Sequence, residues 1–249
     1  MSKFNLGLCS VSFRENSPEE IVKAVKDAGL DCIEWGSDIH APYNKPDSLN
    51  NIVSLQQEYG ISCSSYGTYF YIMRDSADEL KEYIKAAKIL GTNILRLWCG
   101  EKGSAKYSDA EKEEFIAECK KLAEIAKNEA VTLCMECHAG TFTDTVESTV
   151  ELMEKVDSPN FKMYWQPYIN ISDEENVAAA QKISPYSVNL HVFYWVDKKP
   201  KNLSQGKTVW QNYLKNFSAE RALLLEFMPD GKLETLKTEA KILKEIVQM

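Results

Sequence analysis

VTLCMECH (131–138), FKMYWQP (161–167), VNLHVFYW (188–195) and ALLLEFM (222–228) are four short apolar runs, each with a metal-binding type of side chain near its C-terminal end. Those side chains are Glu136, Gln166, His191 and Glu226. A buried strand has no use for a carboxylate or an imidazole at its end unless something there pairs with it, because an uncompensated buried polar group is costly. Four such ends in succession predict one site assembled from four neighbouring strands.

Four further runs precede these: LGLCSVSF (6–13), CIEWG (32–36), ISCSSY (61–66) and ILRLWC (94–99). Amphipathic helical patterns separate the runs. Ser17-Pro18-Glu19-Glu20 carries an N-cap, a proline at the first helical position and first-turn acids, and the helix it opens stops at Gly29. Asp75–Leu90 ends likewise at Gly91, while Ser108–Ala130 and Leu233–Val247 complete the clearest cases. Strands of the buried type alternating with helices imply parallel pairing and right-handed crossovers. Eight such units within 249 residues, with no second composition regime and no linker, predict an α/β protein with a single domain over 1–249: a (β/α)8 TIM barrel. The polar stretch Asp197–Gln205 follows strand seven, a position that lies on the catalytic face of such a barrel.

A formal charge of -8 opposes sequence-independent attraction to nucleic acid. No run of about 18 apolar residues is present, which argues against a transmembrane helix and any membrane partner. The N-terminus, MSKFNLGLCSVSF, enters an expected strand almost at once and leaves no room for a signal peptide. Seven cysteines are scattered singly, mostly within apolar runs, as expected of small buried hydrophobes in a reducing, cytoplasmic setting. The CxxC at Cys134 and Cys137 is not a metal pair on a strand, where residues i and i+3 point to opposite faces.

Alternation groups the inward-pointing residues. Cys134, Glu136 and His138 share one face of strand five; His191 lies with Phe193 and Trp195, Gln166 with Tyr164, and Glu226 with Leu224 and Met228. Two carboxylates, one imidazole and one amide oxygen form a mixed oxygen/nitrogen set that suits Mn²⁺ or Mg²⁺, with Co²⁺ or Zn²⁺ within its range. On strands two and four Glu34 and Arg96 turn inward, and the cost of an unpaired charge inside a barrel predicts that they pair. Arg96, His138, Trp98 and Trp195 are candidate substrate contacts, as is His40 in the loop after strand two. Phe13, Tyr66, Tyr69, Trp98, Trp165 and Trp195 gather near the same face, where rings suit the apolar side of a sugar as well as they suit a core. No glycine-rich phosphate cradle follows strands seven or eight.

The chain resembles the xylose-isomerase-like barrel superfamily, in particular its sugar isomerase/epimerase branch, from LGLCSVSF through IEWGSD, RLW and MECHAG to LLLEFMPDG. The resemblance implies a divalent metal held on Glu136, Gln166, His191 and Glu226, with the two glutamates as an acid/base pair flanking the substrate. Three positions depart from the epimerase pattern. Gln166 stands where the family carries Asp, Ile169 where the epimerases carry His, and Asp197 where they carry Arg. The function expected is therefore a metal-dependent isomerase or epimerase that moves a proton through an enediolate in a small sugar or polyol ketone. A lyase of the same superfamily, of the inosose or dehydroshikimate dehydratase type, and a catalytically silent sugar-binding barrel are the alternatives. A homo-oligomer stays open. Only three histidines and net acidity argue against an abasic-site endonuclease, which builds its multi-zinc site from many His and Asp residues.

Overall fold

The computed structural model describes residues 4–218 and 221–248; Met1–Lys3, the first residues of the stretch expected to leave no room for a signal peptide, lie outside them. The strands are β1 (Asn5–Cys9), β2 (Cys32–Gly36), β3 (Ser62–Tyr71), β4 (Ile94–Trp98), β5 (Thr132–Glu136), β6 (Phe161–Trp165), β7 (Ser187–Val192), β8 (Tyr194–Val196), β9 (Lys199–Lys201) and β10 (Ala222–Leu225). All but β8 and β9 close a parallel barrel in the order β1-β10-β7-β6-β5-β4-β3-β2. Eight α-helices among the described residues surround it: α1 (Pro18–Asp27), α2 (Pro46–Tyr59), α3 (Ala77–Leu90), α4 (Asp109–Asn128), α5 (Val146–Val156), α6 (Asp173–Ile183), α7 (Lys207–Leu214) and α8 (Leu236–Ile246). This is the expected (β/α)8 TIM barrel.

Local chemistry sets the helix ends. Ser17 and Ser108 each form a reciprocal capping box, with Glu20 and Glu111, and satisfy amides that would otherwise lack partners; each cap of this kind contributes about 1 kcal/mol. Gly91 ends α3 in the left-handed region at φ 84°, where a side chain would be strained. The apolar faces of the helices pack on the outside of the barrel in one large cluster. A second, smaller cluster of Cys32, Cys134, Tyr164, Ala222 and Leu224 plugs the barrel interior. Cys134 belongs to the inner layer and Cys137 to the outer one, as strand alternation requires. No described helix is long and apolar enough to cross a membrane.

Several expected strands end early at the catalytic face. LGLCSVSF leaves the ladder after Cys9 and coils into a 3-10 turn, Ser10–Phe13, whose Ser10 hydroxyl accepts from the Gly36 amide at 2.9 Å. β5 stops at Glu136, so His138 stands beyond the strand and not in its inward row. VNLHVFYW breaks after Val192, and its last residues leave the barrel to pair β8 against β9. The hairpin turns through Asp197 and Lys198 at φ 51° and 59°, the left-handed pair that a tight two-residue hairpin demands. Much of the polar stretch after strand seven is thus ordered backbone rather than solvated coil.

Candidate functional site

Glu136 closes β5, Gln166 follows β6, His191 lies one residue before the end of β7, and Glu226 follows β10. The barrel brings all four to one point. His191 Nδ1 lies 3.2 Å from Gln166 Oε1, 3.4 Å from Glu226 Oε2 and 3.7 Å from Glu136 Oε1. Ligand-type atoms of Glu136, His191 and Glu226 lie within 4.8 Å of one another. The Gln166 amide donates from Nε2 to the Cys137 carbonyl at 2.9 Å, and that bond turns its oxygen toward the cluster.

Beneath this set lies the expected ion pair, and it extends further than a pair. Arg96 donates from Nε to Glu34 at 2.9 Å and from Nη1 to Glu136 at 2.6 Å, with all three side chains buried. Both of these donors face carboxylates inside the barrel, so Arg96 organises the site from below instead of lining the substrate space. Burial alone would raise the Glu136 carboxyl, but Arg96 and then His191 hold it down at about 2. Glu226 is equally buried but receives no hydrogen bond from Arg96, whose charge lowers it only from a distance. Burial pushes it up to about 7, with His191 opposing and Glu136 and Glu34 adding to the rise. Burial would lower the His191 imidazole, yet Glu226 and Glu34 carry it well above its ordinary value.

This chemistry fits a divalent cation. Glu34, Glu136 and Glu226 set against Arg96 leave two negative charges when His191 is neutral. Glu226 Oε2 and His191 Nε2 are buried without a hydrogen-bond partner, an expensive arrangement unless something else satisfies the cluster. A cation bonded to Glu136, Gln166, His191 Nδ1 and Glu226 would neutralise the site and satisfy the Glu226 oxygen.

A cleft of about 140 Å³ opens over these groups, lined in part by Glu136, His138, Gln166, Phe193, Trp195 and Phe227. His138 is half-buried; its Nδ1 lies 2.7 Å from the Ala139 carbonyl, and its ring sits edge-on to Trp98 with centroids 4.6 Å apart. Trp98 stacks on Tyr71, Trp195 packs against Phe193 and Phe227, and both indole N–H groups are buried without partners. A larger groove of about 610 Å³ adjoins the cleft and shares Ala139, Asp144, Tyr168 and Asn170 with it.

His40 has a different place from the one expected. It is 4% exposed, and its ring nitrogens face Ser10 Oγ at 3.1 Å and the Asn16 carbonyl at 3.2 Å. With both nitrogens engaged, it braces the turn after β1 and has none left for a substrate hydroxyl. Of the aromatic residues grouped from the sequence, Trp165 packs against Trp210, Tyr213 and Phe217 in the outer layer, and Tyr66 and Phe13 are likewise core. Sequence reasoning missed Cys9 and Gly67 beneath the site and Phe227 beside it. Cys9 comes to face Glu34 only because β1 ends there, short of the strand expected over 6–13, and nothing in the sequence marks Phe227.

A family model described as xylose isomerase-like TIM barrel matches residues 22–217. A curated 3-dehydroshikimate dehydratase of Bacillus anthracis is 28% identical over 196 residues, covering 74% of this chain and 69% of the relative. Among solved structures, the probable 3-DHS dehydratase of Bacillus anthracis involved in petrobactin synthesis superposes with a TM-score of 0.81 at 21% identity, covering 97% of this chain and 99% of the other. The IOLI protein with a bound zinc atom gives 0.78 at 16% identity over 98% of each chain. D-psicose 3-epimerase of Clostridium cellulolyticum gives 0.73 at 15% identity, again over 98% of each. These findings correct the expected isomerase/epimerase assignment: the relative recognised by sequence is a dehydratase, whereas the epimerase is similar only at the level of fold. The chain belongs to the xylose isomerase-like TIM barrel family.

Proposed function

We propose that this protein is a divalent-metal-dependent lyase that removes water from a small cyclic β-hydroxy ketone of the 3-dehydroshikimate kind. One observation carries the reading: a metal-type ligand set with an imidazole at its rim, in a chain 28% identical over 196 residues to a 3-dehydroshikimate dehydratase. Glu136, Gln166, His191 and Glu226 would hold the ion, which when bound polarises a ketone oxygen and acidifies the neighbouring C–H.

The remaining chemistry falls to the chain. A carbonyl oxygen only accepts, so the Ala139 contact assigns the His138 proton to Nδ1 and leaves the Nε2 lone pair free as a base. His138 takes the proton from the carbon beside the ketone. The bond from the next carbon to its hydroxyl breaks, the electron pair left by the proton forms the new C=C bond, and the proton joins the departing hydroxide. Water leaves and His138 is neutral again. Trp98 and Trp195 offer their unpartnered indole N–H groups to substrate oxygens. The 140 Å³ cleft and its aromatic wall suit a small ring.

The test is incubation with 3-dehydroshikimate and Mn²⁺, read by mass spectrometry for loss of one water. His138→Ala should lower turnover by about 10²–10⁴-fold, the range of a lost general base, while calorimetry shows unchanged Mn²⁺ affinity. If neither 3-dehydroshikimate nor an inosose loses water in the presence of Mn²⁺, Mg²⁺, Co²⁺ or Zn²⁺, the lyase reading fails.

A further inference from the structure

We propose that Glu34 is a positioning residue that orients two of the four candidate ligands at once: His191 directly, and Glu136 through Arg96. This rests on the metal reading above and adds to it a residue that never touches the ion.

Glu34 is fully buried on β2, at the point where pairing with β3 slips out of register between Ile33 and Glu34. Four groups face its carboxylate. Its Oε1 receives Arg96 Nε at 2.9 Å and Cys9 Sγ at 3.3 Å and lies 3.4 Å from His191 Nε2; its Oε2 receives Ser65 Oγ at 2.9 Å. Arg96, the Cys9 thiol and Ser65 act as donors, and His191 Nε2 can be a fourth. Only an acceptor without hydrogens of its own matches that ring.

Each side of the carboxylate reaches a ligand. Arg96, held on Glu34, grips Glu136 Oε2 at 2.6 Å and leaves Glu136 Oε1 facing His191 Nδ1. On the other side, His191 Nε2 is buried and has no hydrogen-bond partner in the present geometry. An imidazole that gives its Nδ1 lone pair to a cation carries its proton on Nε2, and the acceptor facing that nitrogen is Glu34. Close packing has been arranged around the group: a Cβ added at Gly67 would lie 2.9 Å from Arg96 Nη2 and 3.0 Å from Glu34 Oε1. Glycine on β3 is what lets the guanidinium and carboxylate meet in that layer.

Mn²⁺ calorimetry on the wild type and Glu34→Gln tests this. The amide puts an N–H₂ among donors, so the variant should bind Mn²⁺ about 10–100-fold more weakly, as outer-shell substitutions do. Its Co²⁺ absorption spectrum should shift as well. Wild-type binding with Glu34→Gln within about twofold overturns the inference and leaves the metal reading intact. A wild type that binds no divalent ion overturns both. Should Glu34→Gln not fold, ¹⁵N-histidine NMR of the Zn²⁺-loaded wild type decides the matter, with only three histidines to assign. A proton on His191 Nε2 supports the inference, and a proton on Nδ1 overturns it.

Discussion

Glu136 and Glu226 are both 5% exposed, both lie at the catalytic end of the barrel, and both approach the same nitrogen of His191. Their surroundings differ by one side chain. Glu136 accepts a hydrogen bond from Arg96, itself anchored on Glu34, and stays ionised; Glu226 feels Arg96 only at a distance, faces His191, and has an oxygen without a hydrogen-bond partner. The β4–β5 side of the site is therefore satisfied by the protein alone, whereas on the β10 side Glu226 Oε2 has no hydrogen-bond partner and lies 3.4 Å from His191 Nδ1. The difference shows how one pocket can be stable enough to fold and still hold an unsatisfied carboxylate oxygen.

Arg96→Met breaks the comparison most severely. It leaves Glu34 and Glu136 as uncompensated buried charges and should cost the metal-free protein about 3–5 kcal/mol in urea unfolding. A loss below about 1 kcal/mol would mean that the two carboxylates are not held by Arg96.

The same substitution at the two glutamates should act with opposite sign. Glu136→Gln leaves Arg96 short of a carboxylate and destabilises the metal-free protein, while Glu226→Gln stabilises it. Folded Glu226 keeps its proton to higher pH than an ordinary carboxyl, so the metal-free protein loses stability as pH rises from about 4.5 through about 7. The full effect is on the order of 3 kcal/mol at the alkaline end. Mn²⁺, or Glu226→Gln, should flatten that part of the stability–pH curve, and a curve of unchanged slope would show that Glu226 is not the strained partner. Both variants should still lose metal affinity.

Gln166→Asp has the smallest effect, because the charge it gains is offset in part by losing the hydrogen bond that Gln166 Nε2 donates to the Cys137 carbonyl. Mn²⁺ should bind about 1–3 kcal/mol more tightly by calorimetry, the scale of interactions with charged groups. Equal affinity would remove Gln166 from the ligand set.

The barrel was legible because its strands are buried on both faces and its helices are capped by local residues such as Ser17 and Ser108. The Glu34–Arg96 pair was legible from alternation and the cost of an unpaired charge. Strand ends were not: β1 turns aside after Cys9 because Ser10 bonds to Gly36 on another strand, a contact between residues 26 apart in sequence. His40 was misplaced for the same reason, since its partners Ser10 and Asn16 come from the preceding unit. The reaction class was hidden at a deeper level. Two glutamates, an imidazole and an amide describe a candidate ligand set, and such a set is as compatible with an isomerase as with a dehydratase.

Phe227, directly after Glu226, adopts φ 57° and is 43% exposed. A bulky residue in that region stores about 1–3 kcal/mol, which glycine would release. Glycine would also delete the ring that packs against Trp195 and Phe193, a loss of similar size to the strain it relieves. The left-handed turn after Glu226 is thus held by an aromatic clasp at the edge of the cleft, so local strain and local packing there balance within one side chain.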